Sequence, residues 1–270
     1  MRWVSFIPLI CLLLVVVFLI PLDRALFALP IPIRIALGSL AAICFLVSLR
    51  CEKPERRQAY LALALPITIL VLSPINTSLE AGHVVILGVA FVAVLVLPTL
   101  MLRGEDIISY KFFPDKLDWV DIFYTAISVP LAWGGFALYF GYLSPEVPFN
   151  WTLPPQPDMA ELGKLFMGIN AVGIWDELFF VNICYAILRF LFPMRIANVS
   201  QAVIYTTVLY DMAFSGWGPL FIFVLALTQG FMYERSKVLI WVLIVHLIVD
   251  YFLFQAIVET YYPGLDVWWH

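Results

Sequence analysis

The sequence has few charged residues. Only 13% of its 270 residues are Asp, Glu, Lys or Arg, whereas an ordinary soluble domain has about 25%. It also lacks a basic excess, because the formal net charge is −4 at pH 7 and 63% of the residues are hydrophobic. A nucleic-acid-binding protein needs a basic surface, and a disordered chain is poor in hydrophobic residues. We therefore expect a polytopic membrane protein that contacts membrane lipid and does not bind nucleic acid.

The sequence also lacks paired cysteines. Its four cysteines show no C-x-x-C spacing, and three of them fall within long apolar runs. Buried free cysteines pack like small hydrophobic residues. We therefore expect neither a disulfide framework nor a zinc site. The cysteines are Cys11, Cys44, Cys51 and Cys184.

Long apolar runs make up most of the chain. Several of them continue for 15 to 20 residues, whereas a strand of a membrane barrel needs only about 10 residues of alternating polarity. The pattern predicts an all-α fold, a transmembrane helix bundle of about nine spans. The predicted spans are residues 3–21, 31–49, 59–74, 83–102, 119–143, 162–188, 198–214, 219–233 and 238–258.

The basic residues predict the orientation of these spans, because cytoplasmic loops collect Lys and Arg. With a cytoplasmic N-terminus, 12 of the 15 basic residues face the cytoplasm, and only Arg24, Arg34 and Lys164 lie outside. We expect an integral, multi-pass protein, located in the cell membrane if the source is prokaryotic. The first run follows Arg2 as in a secretory signal, but it is longer than a typical signal core, and we expect a retained helix.

A Pro-rich stretch divides the predicted spans into two groups. Residues 1–143 form about five N-terminal helices, and residues 144–161 form an outward loop. Residues 162–258 form a core that holds nearly all of the intramembrane charge, and 259–270 form an aromatic tail at the membrane interface. We therefore place the functional site in the second group.

Five ionisable residues interrupt the apolar runs of that core. An ionisable side chain at membrane depth costs about 2.5–3.5 kcal/mol on insertion, so each is a candidate functional residue. Position 211 lies 35 residues from both 176 and 246, and positions 246 and 250 are four apart, on one helical face. Three helices can therefore direct polar groups to one point. The five residues are Asp176, Glu177, Asp211, His246 and Asp250.

Three short motifs carry a resemblance to a known family. DELFFV, GFMYERS and HLIVD occur in this order within residues 162–258. They resemble the CPBP family, the CAAX-processing and bacteriocin-processing intramembrane endopeptidases. The motifs of that family are E-E-x-x-x-R, F-x-x-x-H, a turn similar to G-x-x-x-E-R, and H-x-x-x-N or H-x-x-x-D. The isolated polar residue Asp211 stands where the second of these motifs is expected.

The resemblance implies an endopeptidase for membrane-associated protein or peptide substrates, with no required cofactor. It assigns Asp176 as the base that deprotonates the attacking water and Glu177 as a residue that supports the site. It assigns Asp211 as a further partner of that water. It assigns His246 and Asp250 as hydrogen-bond donors to the oxyanion, the negatively charged oxygen that forms during peptide hydrolysis. The chain departs from the family at three positions, where Asp176 replaces Glu, Val181 replaces Arg and Asp211 replaces His.

These departures leave several hypotheses open. Asp176 and Asp211 could share one proton, as in aspartic proteases, and still activate water. Alternatively, Asp176, Asp211, His246 and Asp250 could hold a divalent cation. A non-catalytic relative would use the same cavity to bind a partner helix, a lipid tail or a cation. A proton or ion transporter is less favoured, because the two halves show no internal repeat.

The end of the GFMYERS motif has a simpler interpretation. Glu234 and Arg235 fall at a predicted cytoplasmic turn, where charged residues are usually solvated. We expect them to cap a helix rather than to take part in catalysis.

Overall fold

The computed structural model describes residues 6–20, 29–73, 75, 80–143, 153, 158–210, 217–262 and 264–265. In these ranges the secondary structure is helical, and no β-strand is present. The predicted all-α fold class is therefore confirmed for the described part of the chain.

Ten α-helices follow one another along the described residues. They are α1 (Ile7–Leu19), α2 (Ile31–Ser48), α3 (Pro54–Leu72), α4 (Ala81–Met101), α5 (Trp119–Leu138), α6 (Met159–Asp176), α7 (Tyr185–Leu191), α8 (Met194–Leu209), α9 (Gly218–Ser236) and α10 (Leu239–Tyr261). A 3₁₀ turn, Leu49–Cys51, follows α2, and π-helical segments follow α5 (Tyr139–Leu143) and α6 (Glu177–Cys184).

Within the described residues, five helical segments are long and apolar enough to cross a membrane. They are Ile31–Cys51, Ala81–Met101, Trp119–Leu143, Met159–Leu191 and Leu239–Tyr261. Each of the nine predicted spans overlaps a helix, but α1 has only 13 residues and α8 only 16, fewer than the roughly 20 that a span needs. The count of nine spans and the cytoplasmic N-terminus stay predictions.

The segment Met159–Leu191 forms the centre of the bundle. It begins at Asp158, whose side chain accepts hydrogen bonds from the backbone N–H groups of Ala160 and Glu161, both at 2.9 Å. Such a cap satisfies N–H groups that the first helical turn leaves free. In the most apolar part of this segment 72% of the residues are buried, against 11% in the most apolar part of Trp119–Leu143. A helix this buried is packed against other helices on most of its surface.

The N-terminal helices pack directly on this central segment. The indole of Trp175 donates a hydrogen bond to the carbonyl of Phe91 at 3.0 Å, and the two rings stack with centroids 3.9 Å apart. Arg56 of α3 donates to the carbonyl of Leu191 at 2.9 Å. One hydrophobic core therefore includes residues from α1, α3 and α4 together with residues from α6 to α10.

An ion-pair cluster joins the ends of several helices. Glu234 of α9 accepts hydrogen bonds from Tyr185 at 2.8 Å, from Arg189 at 3.1 Å and from Lys237 at 2.7 Å. Because its side chain is only 21% exposed, the prediction of a solvated cap at Glu234 is wrong. The residue instead ties α9 to α7, and this role was not visible in the sequence because Arg189 lies 45 positions away.

Arg235, next in the chain, joins α9 to the start of α5. Its guanidinium pairs with Asp121 at 2.7 Å and also with Asp118. The two consecutive charged residues of the motif therefore bind different helices.

The contact between α4 and the central segment can be tested by truncating Trp175. We expect Trp175→Ala to lower the free energy of unfolding by about 3–5 kcal/mol, because it removes a buried ring, its stacking partner and one hydrogen bond. The control is Trp133→Ala, since Trp133 is 63% exposed. Unfolding in detergent followed by circular dichroism measures both changes. Equal losses in the two variants would contradict this account of the packing.

Candidate functional site

Four of the five predicted site residues lie together in the bundle. Glu177 Oε1 is 2.6 Å from His246 Nδ1. On the other side of the ring, His246 Nε2 is 3.6 Å from Asp250 Oδ1 and 3.8 Å from Asp176 Oδ2. All four side chains are buried. Asp211, the fifth predicted residue, lies outside the described residues.

Two helices bring these groups together. His246 and Asp250 lie one turn apart on α10 and therefore share a face. Asp176 ends α6 and Glu177 begins the π-helical segment. Side chains of consecutive residues in a helix point in different directions, so these two carboxylates reach the imidazole from opposite sides. Short π-helical segments are frequent at functional sites.

Two further residues belong to the cluster, and the sequence analysis missed both. The hydroxyl of Tyr205 on α8 is 3.1 Å from His246 Nδ1. The amide of Gln229 on α9 donates to Glu177 Oε1 at 3.2 Å and to the Val242 carbonyl at 3.0 Å. Gln229 could have been found as an uncharged polar residue inside an apolar run. Tyr205 gives no such signal, because tyrosine is common in apolar helices.

Gly173 allows α10 to approach α6 closely. A Cβ atom at this position would lie 2.0 Å from Asp250 Oδ2 and 2.8 Å from the His246 ring. Both distances are shorter than van der Waals contact. A glycine one turn before Asp176 is therefore needed for the carboxylates and the imidazole to meet.

Three buried carboxylate oxygens have no hydrogen-bond partner among the described side chains and backbone. They are Asp176 Oδ1, Glu177 Oε2 and Asp250 Oδ2. Burying an isolated charge is very costly, so protons on these groups, a protonated imidazole or bound water must compensate the carboxylates. The cluster is therefore suited to proton transfer.

The described residues contain no group of three or more His, Cys, Asp or Glu side chains arranged to hold a metal ion. The divalent-cation hypothesis therefore gains no support from them. Of its four proposed ligands, Asp211 lies outside the described residues.

An apolar cavity of about 230 Å³ lies beside the cluster, between α5, α9 and α10. Thr228, Val245 and Val249 line it, and each directly precedes a residue of the polar cluster. The cavity and the polar cluster therefore lie on neighbouring sides of α9 and α10. Ser128 and Thr228 satisfy their hydroxyls within their own helices, at 2.7 and 2.8 Å, so the cavity wall is chemically apolar.

Val181 occupies the position where the family motif has Arg, and its side chain is fully buried in the hydrophobic core. Glu177 has no arginine partner at this position, but its carboxylate contacts His246 and Gln229 instead.

The close approach at Gly173 gives a test of the site geometry. We expect Gly173→Ala to displace Asp250 and His246, because the new Cβ has no room, and to destabilise the fold by about 1–3 kcal/mol. Gly168→Ala on the same helix is the control, since a Cβ there meets nothing within 4 Å. Thermal unfolding in detergent compares the two. A Gly173→Ala protein as stable as Gly168→Ala would show that α6 and α10 do not meet as described.

Comparison with protein-family models, curated proteins and solved structures found no match to this chain. The resemblance to the CPBP family therefore stays a prediction from the motifs DELFFV, GFMYERS and HLIVD.

Proposed function

We propose that this chain is an intramembrane endopeptidase that hydrolyses peptide bonds of membrane-associated proteins. The observation that carries the proposal is the position of the His246 ring, between Glu177 on one side and Asp176 with Asp250 on the other. Acid–base hydrolysis needs a positioned base, a proton donor and a water molecule within reach of both. The cluster offers the first two in a buried place, next to an apolar cavity.

Asp176 is the proposed base. Its Oδ1 atom is buried and has no hydrogen-bond partner among the described residues, so it is available to a water molecule. As the water oxygen bonds to the scissile carbonyl carbon, Asp176 takes one of its protons. The same proton then passes to the leaving amine nitrogen as the carbon–nitrogen bond breaks, which restores the carboxylate.

His246 and Asp250 form the proposed oxyanion side. The oxygen of the tetrahedral intermediate carries a negative charge and needs hydrogen-bond donors already in place. A proton on His246 Nε2 or on Asp250 would supply such a donor, and the two groups are 3.6 Å apart. Glu177 contacts the opposite nitrogen of the ring and is proposed to hold the imidazole in position. A role for Asp211 as a partner of the water is part of the same hypothesis.

The cavity supports a membrane-associated substrate. Its wall carries apolar side chains from α5, α9 and α10, and both α5 and α10 belong to segments long enough to cross a membrane. An apolar segment of a substrate would therefore lose little by leaving the lipid for this cavity. Val245 and Val249 would then hold it one residue from His246 and Asp250.

The main test compares cells that express the unaltered chain with cells that express Asp176→Asn. We expect the asparagine variant to lower cleavage by about 10²–10⁴-fold, because it removes the base. Mass-spectrometric mapping of new N-termini in isolated membranes measures cleavage in every membrane protein at once, so the substrate need not be chosen in advance.

The matched control is Asp115→Asn, because the Asp115 carboxylate is 84% exposed and lies in a loop. If the N-termini are the same with the unaltered chain and with Asp176→Asn, the endopeptidase proposal fails. A non-catalytic protein that binds a lipid tail or a partner helix would then be the better explanation of the cavity.

A second test fills the cavity. We expect Ala132→Trp to lower cleavage about tenfold or more without unfolding the protein, because Ala132 lines the cavity and an indole there would exclude an apolar substrate. The control is Ala137→Trp on the same helix, at an exposed position outside the cavity wall. The same N-terminal mapping gives the readout, and equal cleavage by both variants would place substrate binding elsewhere.

A further inference from the structure

The two ring nitrogens of His246 have different surroundings. Nδ1 faces Glu177 Oε1 at 2.6 Å and the Tyr205 hydroxyl at 3.1 Å. Nε2 faces Asp250 and Asp176 at 3.6 and 3.8 Å, which is beyond the usual length of a direct hydrogen bond. The Nδ1 side is thus closed by direct contacts, whereas the Nε2 side faces two carboxylates at longer distances.

The donors around Nδ1 indicate where its proton lies. Gln229 donates to Glu177 Oε1 at 3.2 Å. If Nδ1 carries a proton, it also donates to Oε1, and both donors then meet one ionised carboxylate. Charge-assisted hydrogen bonds of this kind are short and strong.

The opposite arrangement leaves a donor without a partner. A bare Nδ1 has a single lone pair. At 2.6 Å, Glu177 would then need to be protonated and to donate to that lone pair, and the Tyr205 hydroxyl would compete for it. A buried donor that loses its partner is costly. The geometry therefore favours a proton on Nδ1.

We propose that Glu177, with Gln229 as its hydrogen-bond donor, keeps a proton on Nδ1 of His246 and makes Nε2 the nitrogen that exchanges protons. Glu177 and Gln229 are then positioning residues, because they act through the imidazole. Nε2 is directed toward Asp176 and Asp250, whose Oδ1 and Oδ2 atoms respectively are buried without a partner among the described residues. The meaning of this arrangement for catalysis rests on the proposed function, but the location of the proton does not.

The location of the proton can be observed by nitrogen-15 NMR of the full chain in detergent. The sequence has only three histidines, so a protein that carries His83→Gln and His270→Gln shows His246 alone. We expect a directly bonded proton on Nδ1 in the absence of any substrate. A bare, pyridine-like Nδ1 would overturn the proposal by itself, without a further variant.

Two variants in this background identify the group that holds the proton. We expect Glu177→Gln to move the proton to Nε2, so that the ratio of Nδ1-protonated to Nε2-protonated ring falls about tenfold or more, because a charge-assisted hydrogen bond is lost. Tyr205→Phe keeps the ring that stacks on Phe180 at 4.3 Å and should leave the proton on Nδ1. A move of the proton to Nε2 in Tyr205→Phe would show that the Tyr205 hydroxyl, and not Glu177, holds the Nδ1 proton as its acceptor, contrary to the proposal.

Matched controls are available for both variants. Glu259→Gln makes the same chemical change on α10 at an exposed position, and Tyr142→Phe removes a hydroxyl that is exposed to the surroundings. Neither should alter the His246 spectrum.

The outcomes also separate this inference from the endopeptidase proposal. A proton on Nδ1 in a protein that produces no new N-termini would support the inference about the proton and contradict the endopeptidase proposal. Cleavage by a protein with a bare Nδ1 would support the endopeptidase proposal and contradict the inference about the proton.

Discussion

The contact between Glu177 and His246 is the interaction on which the rest of the site depends. It places a carboxylate and an imidazole 2.6 Å apart in the interior of an apolar bundle. Removing one member of such a pair leaves an uncompensated buried charge, which is strongly destabilising. The imidazole also faces Asp176 and Asp250. One ring is therefore the shared neighbour of three buried carboxylates. The surrounding helices must therefore hold that ring in one orientation.

The central segment Met159–Leu191 meets this requirement. It carries both adjacent carboxylates and is the most buried of the five segments long enough to cross a membrane. Phe91 packs against it through Trp175, and Gly173 allows α10 to approach it. The N-terminal helices therefore contribute to the site without supplying a polar group to the described cluster. Their contribution is to enclose the central segment, which keeps the carboxylates buried inside the bundle.

The apolar cavity and the polar cluster share two helices, α9 and α10. On α9 and α10, cavity residues alternate with cluster residues, as with Thr228 and Gln229, or Val245 and His246. Successive side chains on a helix point to different sides. The helices α9 and α10 can therefore line the apolar cavity and contribute residues to the polar cluster at the same time. The apolar cavity wall is one of the observations that support the proposed binding of an apolar substrate.

Much of the helical organisation could be predicted from sequence. Each long apolar run contains a helix, because only helices and closed barrels satisfy the backbone in a membrane. The same reasoning identified Asp176, Glu177, His246 and Asp250, since ionisable residues are too costly at membrane depth unless they meet. That reasoning missed Tyr205 and Gln229, because it considered only charged residues and His, although Gln229 could have been found as an uncharged polar residue inside an apolar run. The interhelical role of Glu234 also depends on residues far away in the sequence.

The sequence by itself determined the helices, the apolar character of the chain and the identity of the four ionisable groups that meet in the cluster. These properties follow from local hydrophobicity and from the free-energy cost of burying charge, which single residues carry with them. Only the tertiary structure decided that Glu177 contacts Nδ1 while Asp176 and Asp250 face Nε2. Such a choice depends on the rotation and approach of packed helices at the scale of an ångström. That packing is set by residues such as Gly173 and Trp175, whose partners lie on other helices.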